Sequence, residues 1–129
     1  SDVSRAVIRV AKQNADNAGV LDKIKFIAKD IRKPIVKHEC GFMIINPPYD
    51  ERLEIENVNE FYEEIGQSLE TNFKGFIVWL FTSNLEALES IPLPVSKKIA
   101  LKNGKLDCKY YQYKIFYSRK RHGWAAYFP

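Results

Sequence analysis

The sequence predicts an α/β fold, with a mostly parallel sheet flanked by helices and an antiparallel hairpin toward the carboxyl-terminal end. Three observations carry that expectation. Segments with helical periodicity alternate with strand-like runs along the 129 residues. Phe42–Ile45 is a short, wholly apolar run, and Gly75–Phe81 is continuously apolar, as a strand covered on both faces is. Asn103-Gly104 separates two β-prone segments, a strong two-residue hairpin signal.

The elements follow in order. Val7, Val10, Ala11, Ala15 and Ala18 recur at helical spacing, and Gly19 supplies a stop. Ile24 to Ala28 reads as a strand ending before Asp30. Phe42 to Ile45 is a short apolar strand that halts at Asn46-Pro47-Pro48. Asn57 followed by Glu60 is a capping-box pattern, and Val58, Phe61, Ile65 and Leu69 give the helix behind it an apolar face. Gly75 to Phe81 reads as a buried strand, with Trp79 expected in the core. Ser83 and Glu86 suggest a second cap, opening a short helix that ends before Pro92. Ile99 and Leu101 precede the hairpin turn, and the returning strand runs through Lys109 to Phe116.

Composition narrows the class. A hydrophobic content of 46% with 13% aromatics is enough for a buried core, which excludes disordered and fibrous readings. The longest apolar run, Phe76 to Phe81, is far short of the roughly 20 residues a membrane helix needs, so no membrane partner is expected. Cys40 and Cys108 are too few for a disulfide scaffold, and no Cys or His pair has metal-ligand spacing, so no metal is expected. A reduced, cytoplasmic protein is the default. The net charge of +4 is unevenly spread. Asp50 to Glu70 holds eight acidic residues and one base, whereas Lys97 to Arg121 holds nine bases and one acid, Asp107. A basic end with interleaved tyrosines can track phosphates and stack on bases; it is equally the composition of a solvated, lysine-rich hairpin.

In sheets of this kind, catalytic groups lie just beyond the carboxyl ends of strands, where both Asp30 and Asn46 fall. Asn46-Pro47-Pro48-Tyr49 is the motif with chemistry in it. Proline restrains the residue before it and its own φ, so the turn is stiff. It holds a side-chain amide oxygen and a backbone carbonyl in fixed directions. A nucleobase amino group is a poor nucleophile because its lone pair is delocalised into the ring. Two acceptors gripping its hydrogens favour a pyramidal nitrogen whose lone pair points at an electrophilic methyl, a form of electrostatic preorganisation. Tyr49 is suited to stack on an extruded base.

These residues resemble the acceptor-binding motif of amino methyltransferases, which act on adenine N6, guanine N2 or glutamine side chains. Continued through Asp50-Glu51-Arg52-Leu53, the stretch is similar to the NPPYGERL segment of bacterial 23S ribosomal RNA guanine-N2 methyltransferases, with Asp50 in place of the glycine. Ser1-Asp2 through Asn14-Ala15, Ala18-Gly19-Val20, and Asn103-Gly104-Lys105-Leu106-Asp107-Cys108 also resemble that family, so the likeness spans nearly the whole chain. It implies a Rossmann-like class I fold and S-adenosyl-L-methionine as cofactor. It implies roles as well: Asp2 accepting from the cofactor ribose hydroxyls, Asp30 accepting from its adenine amine with Ile31 beside the ring, and Asn46 lining the same cleft. Large-subunit ribosomal RNA is the implied partner.

The six glycines are dispersed, so the glycine-rich loop after the first strand of such a fold does not occur here. Residues 1–129 therefore read as an incomplete methyltransferase catalytic domain, from the end of its second strand to the terminal hairpin, with the first strand and its loop missing. On its own such a chain is expected to bind cofactor weakly, and to rearrange or self-associate through unpaired edges. Guanine N2 of 23S ribosomal RNA is the expected acceptor. The competing readings are an adenine-N6 or protein-glutamine methyltransferase, and a non-catalytic nucleic-acid-binding module. Arg119-Lys120-Arg121-His122 suits either a phosphate grip or an exposed tail. His38, His122, Ser83 and Cys40 lack the neighbours that hydrolase or metal chemistry requires.

Overall fold

The computed structural model describes residues 1–34, 36–48 and 57–117. They divide into two compact units, Ser1–Ile35 and Val36–Pro129. Among the described residues no helix is long and apolar enough to cross a membrane.

The first unit is built around helix α1, Arg5–Asn17. Ser4 caps it, its hydroxyl accepting from the Val7 amide at 3.3 Å. The far end closes as Gly19 takes a φ of +70°, with Gly19 N donating to Asp16 O and Val20 N to Ala15 O. That pair of bonds is a Schellman stop, which needs the left-handed region that glycine enters without strain. The buried stripe is narrower than the periodicity predicts: Ala15 is buried, whereas Val7 and Val10 are exposed. A single 3-10 turn, Leu21–Lys23, follows. The strand expected over Ile24–Ala28 does not form. Its place is taken by one parallel bridge, Asp2 to Ala28, in which Asp2 N donates to Ile27 O and Lys29 N to Asp2 O. An apolar run becomes a strand only against a paired neighbour, and here that neighbour is one residue long.

The second unit is a four-stranded sheet with helices. Strands β1 (Gly41–Ile45), β2 (Phe76–Thr82), β3 (Val95–Asn103) and β4 (Leu106–Lys114) lie in the order β1-β2-β4-β3. β1 and β2 run parallel, while β4 is antiparallel to both of its neighbours. The class is the expected one, but the sheet is mixed rather than mostly parallel. The hairpin contributes two antiparallel ladders, and residues 24–28 add no strand.

Helix α2 (Val58–Asn72) begins as read, with the Asn57 side chain accepting from Glu60 N at 3.1 Å. Its Tyr62, Ile65 and Leu69 are buried, and with Val78 and Leu80 of β2 they form the core. Tyr62 Oη and Thr82 Oγ1 share a buried hydrogen bond of 2.7 Å, which fixes α2 to the carboxyl end of β2. Helix α3 (Leu85–Glu89) is capped by Asn84, whose Oδ1 accepts from Ala87 N at 2.9 Å. The cap falls one residue after the expected Ser83, because Thr82 Oγ1 already accepts from Asn84 N at 3.0 Å and sets the turn there.

The two faces of β2 differ. Phe76, Val78, Leu80 and Thr82 are buried, whereas Ile77, Trp79 and Phe81 on the other face are half-buried. Trp79 is thus stacked on Tyr110, with ring centroids 4.5 Å apart, rather than enclosed in the core. β1 is less covered than β2. Phe42 is 80% exposed and Ile44 74%. At the amino end of the parallel pair, Gly75 has a φ of +85°, and a Cβ there would run into the carbonyl oxygen of Glu39. Tyr117 Oη donates to that same carbonyl at 2.6 Å, and Gly75 N donates to Ile115 O at 2.7 Å.

Candidate active site

β1 ends at Ile45, paired with Leu80 two residues before β2 ends at Thr82, so the chain leaves β1 at the carboxyl edge of the sheet. There Ile45 is buried, Asn46 is exposed, Pro47 is buried and Pro48 half-buried. Buried Pro47 on one side and buried Ile45 on the other hold the exposed Asn46 like a bracket. That is the arrangement a stiff Asn-Pro-Pro turn predicts. Tyr49 and the extension Asp50–Leu53 lie outside the described residues, as does Arg119–His122.

Asp2, Asp30 and Ile31 belong to the first unit. The Asp2–Ala28 bridge runs parallel, so Asp2 and the segment leading to Asp30 travel alongside each other in one direction. Asp2 Oδ1 accepts from Ser4 N at 2.7 Å, fixing the carboxylate at the entry to α1. Asp30 has a partner that the sequence reading missed. Arg32 Nε donates to its Oδ1 at 3.0 Å and to its Oδ2 at 3.1 Å, and Arg32 Nη2 reaches Oδ2 at 2.7 Å. Arg32 N adds a bond to Oδ1 at 2.8 Å. The side-chain bonds from Arg32 are the main reason the Asp30 carboxyl is held below its usual range. The signal was an arginine two residues beyond an acid at a turn, close enough for one fork to close on it. Ile31 sits half-buried in that turn.

Both carboxylates are acceptor-only groups, the right chemistry for sugar hydroxyls and an exocyclic amine. Any such donor at Asp30 shares the carboxylate with Arg32.

This geometry belongs with a sequence match. The UPF0020 family, described as RMKL-like, methyltransferase domain, matches residues 1–112. The chain belongs to this family. Among its relatives, the Ribosomal RNA large subunit methyltransferase K/L of Pseudoalteromonas atlantica is 42% identical over 112 residues, covering 84% of this chain and 16% of that protein. Its namesake in Shewanella pealeana is 34% identical over 116 residues, covering 89% and 16%. The chain thus spans about a sixth of the curated relatives it matches. Two solved structures are each 32% identical. A Clostridium difficile 630 protein superposes with a TM-score of 0.78 over 92% of this chain and 32% of its own. A predicted N6-adenine-specific DNA methylase from Listeria monocytogenes gives 0.70 over 88% and 29%. The fold is shared as well with SMU.472, solved in complex with SAH, at a TM-score of 0.79 and 24% identity over 91% of this chain and 31% of that one. The α/β methyltransferase-like architecture is therefore that of this family.

Proposed function

We propose that this chain serves an S-adenosylmethionine-dependent RNA methyltransferase, acting in the cytoplasm on an exocyclic base amine of large-subunit ribosomal RNA, with guanine N2 as the acceptor. Residues 1–129 are read as part of its catalytic domain, from the end of the second strand to the terminal hairpin. The observation that carries the proposal is Asn46, exposed at the carboxyl end of β1 and anchored by buried Pro47. The family match and the names of the ribosomal RNA relatives support it, and the SAH bound to SMU.472 agrees with the cofactor.

S-adenosylmethionine supplies the methyl group. The residues of this chain bind and orient. Asp2 and Asp30 offer acceptors for ribose hydroxyls and the adenine amine, and Ile31 offers an apolar edge beside Asp30. Asn46 and the Pro47 carbonyl grip the hydrogens of the acceptor amine, and Pro48 stiffens the turn that holds them. Tyr49 stacks on the base. The test is Asn46→Ala in the full-length protein, with cofactor and RNA binding measured alongside methyl transfer. The expected result is a loss of roughly 10²-fold or more in rate, the scale of removing one preorganised polar partner, with both affinities retained. Unchanged turnover by a folded variant rejects the assignment.

A second reading, adenine N6, is favoured by the Listeria monocytogenes structure, which carries that specificity in its name. Nucleoside analysis of the methylated product decides between the two bases. We also propose that the chain in isolation self-associates through β1, which among the described residues is hydrogen-bonded on one side alone and has Phe42 and Ile44 uncovered.

A further inference from the structure

We infer that the β3–β4 hairpin is an RNA phosphate clamp, seated beside the acceptor site and gripping the strand about three to four nucleotides from the target base. The inference rests on the RNA methyltransferase reading and adds to it the surface that holds the substrate.

Topology carries the first step. β4 runs antiparallel to β2, and Thr82, the last residue of β2, pairs with Lys109. Residues Leu106, Asp107 and Cys108 therefore extend beyond the end of β2, together with their partners Leu101, Lys102 and Asn103. At about 3.4 Å per residue the hairpin tip projects roughly 10 Å past the sheet edge. That is the same edge at which Asn46 leaves β1. Strands are spaced about 4.8 Å apart, so β4 and β3 stand roughly 10 and 14 Å to the side of β1. A stacked strand rises about 3.4 Å per nucleotide, which turns this offset into three to four nucleotides.

Charge carries the second step. Lys97, Lys98, Lys102 and Lys105 are exposed on the hairpin, and Lys109 is half-exposed at its base. The register puts Lys98 opposite Tyr111, Ala100 opposite Lys109 and Lys102 opposite Asp107. Side chains of paired residues share a face, so Lys98, Lys109 and Lys102 line one side of the ribbon. Lys98 Nζ lies 5.0 Å over the Tyr111 ring, which orients its ammonium without neutralising it. Asp107 takes Lys102 at 3.4 Å, in a pair whose side chains are 74% and 79% exposed. Such a pair is weak enough to open for a phosphate. A ribbon of this charge, with Asp107 its one acid against these five lysines and Lys114, complements a polyanion.

The experiment compares two variants of the full-length protein, each with its fold checked by circular dichroism. One is Lys98→Gln/Lys102→Gln/Lys105→Gln on the hairpin. The other is Lys37→Gln/Lys74→Gln, which removes charge near the opposite edge of the sheet. A large-subunit ribosomal RNA transcript is titrated between roughly 50 and 200 mM salt. The hairpin variant is expected to lose at least about tenfold in affinity at the low end. Its log Kd against log salt should flatten by about 2, given roughly 0.7 per phosphate contact on a single strand. The opposite-edge variant should keep the unmodified slope. An unchanged slope in the hairpin variant overturns the clamp, and if methyl transfer to RNA persists the function survives it. If the unmodified protein binds the transcript but transfers no methyl to it, the functional reading falls while a flattened slope still upholds the clamp. Failure of the unmodified protein to bind overturns both.

Discussion

The two outer strands of the sheet solve the problem of an exposed edge in opposite ways. β1 is Gly41-Phe42-Met43-Ile44-Ile45, without a charge, while β3 carries Lys97, Lys98 and Lys102 in nine residues. A strand edge offers a row of backbone donors and acceptors to any other chain. Lysines on β3 repel a second copy and attract a polyanion. β1 has no such guard, and two of its large apolar side chains stand in solvent. The guarded edge has the charge to meet a polyanion such as the proposed RNA, and the unguarded edge has the apolar surface of one that is covered. The difference teaches that exposure alone does not define a functional surface; the chemistry of what is exposed does.

The comparison can be broken at its centre. Leu80 is fully buried in β2, between β1 and β4. Leu80→Ala should cost about 2–5 kcal/mol, the range for truncating a well-packed leucine. Thermal unfolding should then show β1 and the hairpin failing in one transition. Two separate transitions would mean that the edges do not share a core.

It can be sharpened by giving β1 the chemistry of β3. Because Phe42 and Ile44 are mostly exposed, Phe42→Lys/Ile44→Lys should change monomer stability by no more than about 1 kcal/mol. Sedimentation velocity should show association of the isolated chain falling markedly. Persistent oligomers would place the contact elsewhere. The smallest effect belongs to β3. Lys102→Ala should shift chemical unfolding by less than about 0.5 kcal/mol, as an exposed pair with Asp107 holds little stability. A larger loss would make the hairpin lysines part of the scaffold.

Much of this was legible in the residues themselves. Asn57, Gly19 and Asn103-Gly104 act through local geometry, and each does what its type and position predict. The Asn46-Pro47 turn is local too, an exposed residue set ahead of a buried proline that restrains it. What escaped depends on distant partners. That Trp79 stacks on Tyr110 on the half-buried face of β2 is decided by neighbours, not by the composition of its own run. Residues 24–28 read as a strand because the run is mostly apolar, Lys25 aside, but a ladder also needs a partner of equal length. The Ser83 cap was displaced by one residue through Thr82, whose engagement with Tyr62 comes from twenty residues away. The sequence marks Asp30 as a strand-end acid but not the guanidinium that closes on it.

The position of β4 also has a consequence in time. It is the last described strand in sequence, yet in space it stands between β2 and β3. On a ribosome, β3 emerges before the strand on which it will pair, and it must wait. The amino end of the sheet waits longer still, since the Tyr117–Glu39 bond joins residues 78 apart. Contacts that close so large a span slow folding, and they leave the growing chain open until late. Arrested chains ending before Leu106 but carried clear of the ribosome by a flexible linker should therefore expose β3 to protease, and chains extended well past Tyr117 should protect it.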